Sequence, residues 1–467
     1  MKLKRGEEVE LHIEKFVDRG KSLARHNGYV VLVAGAVPGD LVRARIGKAK
    51  KSYAEAYLEE VLDPSELRTE ARCFYFGTCG GCKWQHVDYA AQLRAKTQSV
   101  YDALVHNGGY KDVDVRPAIG SEKIYFYRNK MEFSFSASRW LTRDEIDSGE
   151  HFDTGFALGL HVPGHFDKVL DLEECHLQSA LSMALVNGVR GFSRQNDWLP
   201  WDIRKHVGFL RHLVIRTGEK TGDLMVNLVT NGFDSDRMED LARYLRNDFP
   251  GVTTFVNTIN TGKAQTAFGE EIKTIFGSGV IHDRIGPYTF EIAPNAFFQT
   301  NTHGAERLYE VARDFAELRP NDLVFDLYCG AGTISLFIAR DVRRVVGIEL
   351  VDEAVENARR NARSNEVTNC HFERGDILHL FGPEFVERHG RPDVLIVDPP
   401  RAGMHPKVVK QVAELGPERF VYVSCNPQTQ TRDLQMLDES YRIVDVQPVD
   451  LFPHTHHVEN VVKLRRK

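Results

Sequence analysis

Apolar and polar positions alternate with a period of two from residue 1 to about 62, as in Val9-Glu10-Leu11-His12-Ile13-Glu14, with turn signals at Asn27-Gly28 and Pro38-Gly39-Asp40. That rhythm predicts short strands with one face in and one face out, closing into a small antiparallel β-barrel. A helical stretch is expected from about Tyr89 to Asn107. Between about 115 and 300 the β-type runs Lys130–Phe135, Gly208–Arg216 and Asp223–Val229 predict a mainly β middle, with one helix over Asp234–Asn247. From about 305 the pattern changes to alternating helices and strands. A helix over Thr302–Leu318 leads to a strand at Leu323–Leu327 and a Gly-rich turn, then to a strand at Val345–Leu350 and a polar helix from Asp352 to about Ser364. Further strands follow at His371–Glu373, Val394–Val397, Phe420–Ser424, Ile443–Val446 and Val458–Leu464. This alternation predicts a doubly wound, Rossmann-like α/β sheet. The expected domains are residues 1–62, 63–300 and 301–467.

Length and composition fit that division. A chain of 467 residues exceeds one ordinary core, and 42% hydrophobic with 27% charged residues is ordinary for a globular enzyme. No window approaches the roughly 18 uninterrupted apolar residues of a membrane helix, so no membrane partner is expected. The charged N-terminus has no secretory apolar stretch, which places the seven cysteines in a reducing cytoplasm, where metal ligation or catalysis outranks disulfides. Net charge is −6, but residues 1–60 carry +3 and the rest −9. A nucleic-acid partner would therefore meet local basic patches, of which Arg43, Arg45, Lys48, Lys50 and Lys51 at the barrel tip are one candidate. Such a run also occurs as a solvated hairpin.

Chemistry concentrates in three places. In Asp326-Leu327-Tyr328-Cys329-Gly330-Ala331-Gly332, two glycines stand where a strand turns into a helix, so a ligand can lie against bare backbone. The third glycine of the dinucleotide fingerprint is missing, which disfavours a pyrophosphate. Glu349, nineteen residues after Gly330, sits where an acid grips ribose hydroxyls. Asp376 is a candidate for the adenine side, or else a helix cap. Asp398, stiffened by Pro399 and Pro400, can present its carboxylate in a fixed direction.

Cys425, in Ser424-Cys425-Asn426-Pro427, ends an apolar strand just where Pro427 breaks it, leaving the thiol at the rim. Carbon 5 of uracil is too electron-poor to attack a sulfonium methyl unaided, but a thiolate added to carbon 6 makes it nucleophilic. A base must then remove the carbon 5 proton, and Glu459 in Phe452-Pro453-His454-Thr455-His456-His457-Val458-Glu459 suits that role. The third place is Cys73-x5-Cys79-x2-Cys82, with glycines between the thiols and Cys175 as the best fourth ligand. An iron–sulfur centre and a four-thiolate zinc site both satisfy this spacing. Cys329 and Cys370 are expected to be structural.

These motifs, with Phe298-Gln299-Thr300-Asn301 and Asp398-Pro399-Pro400-Arg401, closely resemble the RNA uracil-5 methyltransferases over nearly the whole chain, in particular their iron–sulfur branch acting on 23S ribosomal RNA. The resemblance implies a TRAM-type RNA-binding barrel at the N-terminus and one [4Fe-4S] cluster on Cys73, Cys79, Cys82 and Cys175, with no electron transfer in the reaction. It also implies Cys425 as nucleophile and Glu459 as base. Gln299, Tyr328, Gly330, Gly332, Thr333, Glu349, Asp376 and Asp398 would line an S-adenosyl-L-methionine pocket, with Gln299 and Asp398 also able to hold the uracil. The implied partner is RNA, with no protein partner and a monomeric enzyme. Three rivals remain: the same chemistry on the T-loop of tRNA, a non-catalytic RNA-binding iron–sulfur protein, and an amino-group methyltransferase. Arg401 speaks against the last, since it occupies the place of a base-stacking aromatic.

Overall fold

The structure, a computed structural model, describes residues 3–467 apart from the side chain of Asp18. Five strands, Glu8–Phe16, Lys21–His26, Tyr29–Ala34, Leu41–Ala49 and Tyr53–Asp63, form a closed barrel. Its alternation is literal: Val9, Leu11, Ile13, Val31 and Val33 are buried inside, while Glu8, Glu10 and His12 are not. The turn Asn27-Gly28 takes positive φ at both residues (50° and 81°), the left-handed pair that lets a tight hairpin follow the strand twist. Arg68 clamps the barrel to the following segment through two bonds of 2.7 Å to the buried Asp40 carboxylate.

Helix Tyr89–Tyr101 passes directly into a π-helical turn, Asp102–Asn107. The middle of the chain is an eight-stranded sheet whose central strands include Lys130–Ser136, Leu210–Thr217, Leu224–Thr230 and Thr254–Ile259. Helices Ala180–Gln195 and Ser235–Asp248 pack on it through Met183, Leu185, Val186, Val189, Leu241 and Leu245. The second helix lies one residue from its expected place. The first was not anticipated, although Ser179 caps it by accepting from the Ser182 amide at 3.1 Å.

The C-terminal sheet has seven strands in the order Cys370–Arg374, Arg344–Glu349, Leu323–Leu327, Val394–Val397, Arg419–Ser424, Glu459–Arg466, Tyr441–Val449. The first five are parallel and the last two form an antiparallel hairpin. Both faces are covered: Val324, Ile396, Val421, Val423 and Val461 enter one core, whereas Phe325, Leu327, Leu395, Val397, Phe420 and Val462 enter the other. Strands buried on both sides read as unbroken apolar runs, which is why these were visible in the sequence. Among the described residues no helix is long and apolar enough to cross a membrane.

Candidate active site

Side-chain parity decides what the sheet's upper edge presents. Asp326 pairs with Ile396, Val397 with Tyr422, and Ser424 with Asn460. Counting in steps of two places Asp326, Asp398, Cys425 and Glu459 on one and the same face, on four adjacent strands, at or just beyond the strand ends. Helix Thr302–Ala316 covers that face, and its Tyr309 lies within the electrostatic reach of Asp326, Asp398 and Glu459. The Tyr309 hydroxyl hydrogen-bonds Thr333 Oγ1 at 2.9 Å.

Three carboxyl groups in so confined a space cannot all ionise easily. Burial, then the charge of Asp398, pushes Glu459 well above the usual carboxylate range. Asp398 keeps some exposure at the rim, but the protein packed round it and the neighbouring Asp326 push it up to about 7. Burial likewise brings Asp326 to about 7; its Oδ2 accepts from Ser335 Oγ at 2.5 Å, and its Oδ1 has no partner. Cys425 is pushed up to about 11 by burial and then by Glu459 and Asp398, opposed by the positive charge of Arg401.

The glycine turn builds the adjoining hollow. Tyr328, Gly330 and Gly332 all have positive φ (67°, 54° and 76°). A Cβ at Gly332 would lie 2.9 Å from the Phe372 ring, so that glycine is needed for packing, whereas one at Gly330 would meet nothing within 4 Å. The open space over Gly330 is what a ligand lying on the backbone needs. Glu349 accepts from the Gly330 amide at 3.1 Å and from the Leu350 and Val351 amides at 2.8 and 2.9 Å, so its carboxylate is aimed across the turn. Asp376 is exposed, caps a short helix through the Leu378 amide at 2.9 Å, and acts electrostatically on Tyr328. Gln299 lies in the coil before the Thr302 helix, its carbonyl accepting from Asn129 Nδ2 at 2.9 Å.

Cys73, Cys79, Cys82 and Cys175 line one cavity of about 370 Å³ together with Arg128, His176 and Thr455. The Gly81 amide lies 3.4 Å from Cys79 Sγ and Gln85 Nε2 lies 3.2 Å from Cys82 Sγ, each pointing a donor at sulfur. Burial raises all four thiols, Cys73 to about 11 and Cys82 to about 12. No three of the sulfurs lie within 4.8 Å of one another. A single tetrahedral zinc would draw them to about 3.8 Å, given Zn–S bonds of about 2.3 Å. One set of ligand-type atoms does converge, on His371, Glu373 and His389, but Arg388 binds Glu373 and Arg344 approaches His389 Nδ1, which makes it an ion-pair network.

An open groove of about 1260 Å³ runs from Cys425 and Arg401 past His457 to Arg94 on the Tyr89 helix and to Lys15 and Arg19 of the barrel. The barrel tip contributes less positive charge than its sequence suggests: Arg43 pairs with Glu60, and Arg45 with Glu59. The loop that ends in Glu459 is tied down from several sides. Lys96 and Asp450, both fully buried, meet at 2.5 Å, and the His454 carbonyl accepts from the Lys83 and Trp84 amides at 2.8 and 3.0 Å. Tyr127 donates to the Pro453 carbonyl at 3.1 Å.

The sequence reading missed Asp326 and Tyr309 as members of the site. An acid inside the apolar run Val324-Phe325-Asp326-Leu327 was the available signal for the first. Tyr309 had none, since a helical tyrosine usually belongs to the core.

Comparison with known proteins bears on the whole chain. The tRNA (uracil-5-)-methyltransferase family matches residues 223–378 and 389–467, and the TRAM domain matches residues 2–58. An uncharacterized RNA methyltransferase of Bacteroides thetaiotaomicron is 43% identical over 95% of this chain and 98% of its own length. One from Chlorobaculum tepidum is 41% identical over 100% of this chain and 98% of its own. The crystal structure of the Pyrococcus abyssi tRNA (uracil-54, C5)-methyltransferase in complex with S-adenosyl-L-homocysteine superposes with a TM-score of 0.76 at 30% identity, covering 97% of this chain and 99% of that one.

Proposed function

The chain belongs to the tRNA/RNA uracil-5-methyltransferase family and carries an N-terminal TRAM domain, and on that footing we propose that it methylates carbon 5 of a uridine in 23S ribosomal RNA. The observation that carries the chemistry is the register that sets the Cys425 thiol opposite the Glu459 carboxyl across two adjacent strands.

In this mechanism the deprotonated sulfur of Cys425 bonds to carbon 6 of the uracil, and the electron pair of the 5,6 double bond moves onto the enolate oxygen. Carbon 5, now electron-rich, accepts a methyl group. S-adenosylmethionine, when bound, supplies that methyl as an electrophile. Glu459, as the carboxylate, takes the carbon 5 proton; the double bond re-forms and the carbon–sulfur pair returns to Cys425. The raised affinity of Glu459 for protons makes it a stronger base than an ordinary carboxylate.

The hollow over Gly330 fits the cofactor's adenosyl group, with Glu349 on the ribose and Asp376 and Tyr328 at the adenine side. Gln299, Thr333 and Asp398 would complete the methionine and uracil side, where the unpartnered Oδ1 of the buried Asp326 offers an acceptor that a cation would satisfy. Cys73, Cys79, Cys82 and Cys175 would hold a [4Fe-4S] cluster: all four line one cavity, no three of their sulfurs are gathered as one ion would gather them, and two of the sulfurs face N–H donors of the kind that stabilise such clusters.

The four-cysteine site beside a TRAM barrel favours ribosomal RNA. The likeness over 97% of the chain to the Pyrococcus abyssi tRNA (uracil-54, C5)-methyltransferase favours transfer RNA instead, and that second reading keeps the same chemistry. RNA containing 5-fluorouridine separates these readings: fluorine cannot leave as a proton, so the protein should remain covalently attached to its substrate. Sequencing of the captured RNA then identifies its class, and absence of any adduct would remove the thiol mechanism.

A further inference from the structure

Cys425 faces a difficulty that its own surroundings create. Burial and two carboxyl groups, Glu459 and Asp398, all disfavour the thiolate. At about 11, only about one thiol in a thousand is ionised at pH 8. Arg401 is the cation set against this. It follows Asp398-Pro399-Pro400, is exposed, and lines the same groove as Cys425, where its positive charge acts on the sulfur. Its placement comes from the backbone: the Arg401 carbonyl accepts from Asn426 Nδ2 at 3.0 Å and from Thr429 Oγ1 at 3.1 Å, both in the turn and helix directly after Cys425. Its guanidinium forms no ion pair with a carboxylate among the described residues, and its charge acts on Glu459 as well as on the sulfur.

From this arrangement we propose that Arg401 is a catalytic residue, whose guanidinium pairs with the Cys425 thiolate both before it attacks the uracil and as it leaves. The proposal rests on Cys425 being the nucleophile. In the addition step the sulfur lone pair becomes the bond to carbon 6 and the negative charge passes to the enolate oxygen. In the elimination step the same pair returns to sulfur beside the guanidinium, while the proton released from carbon 5 is on Glu459. Each unit by which Arg401 lowers the thiol pKa raises the thiolate fraction about tenfold, whereas intrinsic nucleophilicity falls only about threefold. The balance favours addition as long as the thiol titrates above the working pH, and a more stable thiolate also leaves faster.

The alternative employment for an exposed arginine in an RNA groove is a phosphate contact. The test is therefore made without RNA. The rate of iodoacetamide alkylation of Cys425, followed as its peptide by mass spectrometry between pH 6.5 and 10, climbs with pH in the parent, and in Arg401→Gln the same rate should be reached only about one pH unit or more higher. That change corresponds to about tenfold slower labelling at pH 8. Arg401→Lys, which keeps the charge, should stay closer to the parent than to the glutamine variant, and labelling of Cys370 should be unchanged in both. An unshifted Cys425 rate–pH profile in Arg401→Gln, with or without a loss of RNA affinity, overturns the proposal, as does a lysine variant indistinguishable from glutamine. Failure of Cys425 itself as nucleophile would appear separately, as absence of the 5-fluorouridine adduct in the parent enzyme.

Discussion

In the proposed mechanism Glu459 must be ionised to accept a proton, yet its pocket holds the proton tightly, so the working form of the site grows as pH rises. Cys425 pulls in the same direction. The rate of methyl incorporation under kcat/KM conditions should therefore climb from pH 6.5 to 9 without a falling limb from either group; a decline across that range would contradict the assignment. Glu459→Gln should slow turnover about 10²–10⁴-fold and let a methylated protein–RNA adduct accumulate, whereas Cys425→Ala should form no adduct on denaturing gels. Asp326 bears on stability. Its pKa rises from 3.8 to about 7 on folding, so the folded chain binds that proton more tightly and stability falls as pH rises through this window. Asp326→Asn removes the slope: relative to the parent, its melting temperature should be higher at pH 8 than at pH 5.

At the scale of elements, the sheet shows what the sequence could reveal. Strands such as Leu323–Leu327 and Val394–Val397 are found where their apolar runs placed them, because burial on both faces leaves no polar positions to blur the ends. Cys425 and Glu459 were legible as chemistry, since a thiol before Asn426-Pro427 and an acid at a strand start are unusual together. Their juxtaposition across the sheet was not, for it depends on the Glu459–Arg466 strand inserting between Arg419–Ser424 and Tyr441–Val449, an order that local patterning does not encode. Tyr309 was invisible for the same reason, since its role arises from neighbours distant in sequence, whereas Asp326 left one sign, an acid within an apolar run. The loop before Glu459 is likewise held by distant partners. Lys96→Met would leave Asp450 buried and unpaired, an expected loss of about 3–5 kcal/mol in urea unfolding, with faster amide exchange over residues 450–458.

Across the whole molecule, the groove joins the barrel, the Tyr89 helix and the catalytic edge into one surface whose cations include Lys15, Arg19, Arg94 and Arg401. With the barrel-tip arginines already paired to glutamates, replacing Arg94 with Gln should weaken RNA binding and lower the salt dependence by about one counterion, whereas replacing Arg43 should change little.

The two amides that grip the His454 carbonyl belong to Lys83 and Trp84, the residues immediately after Cys82. The four-cysteine loop and the loop that ends in Glu459 thus share a hinge pin. Were the proposed cluster bound on Cys82 and its partners, loss of its iron should leave an enzyme that still captures uridine but releases it more slowly, seen as a covalent complex that persists on denaturing gels.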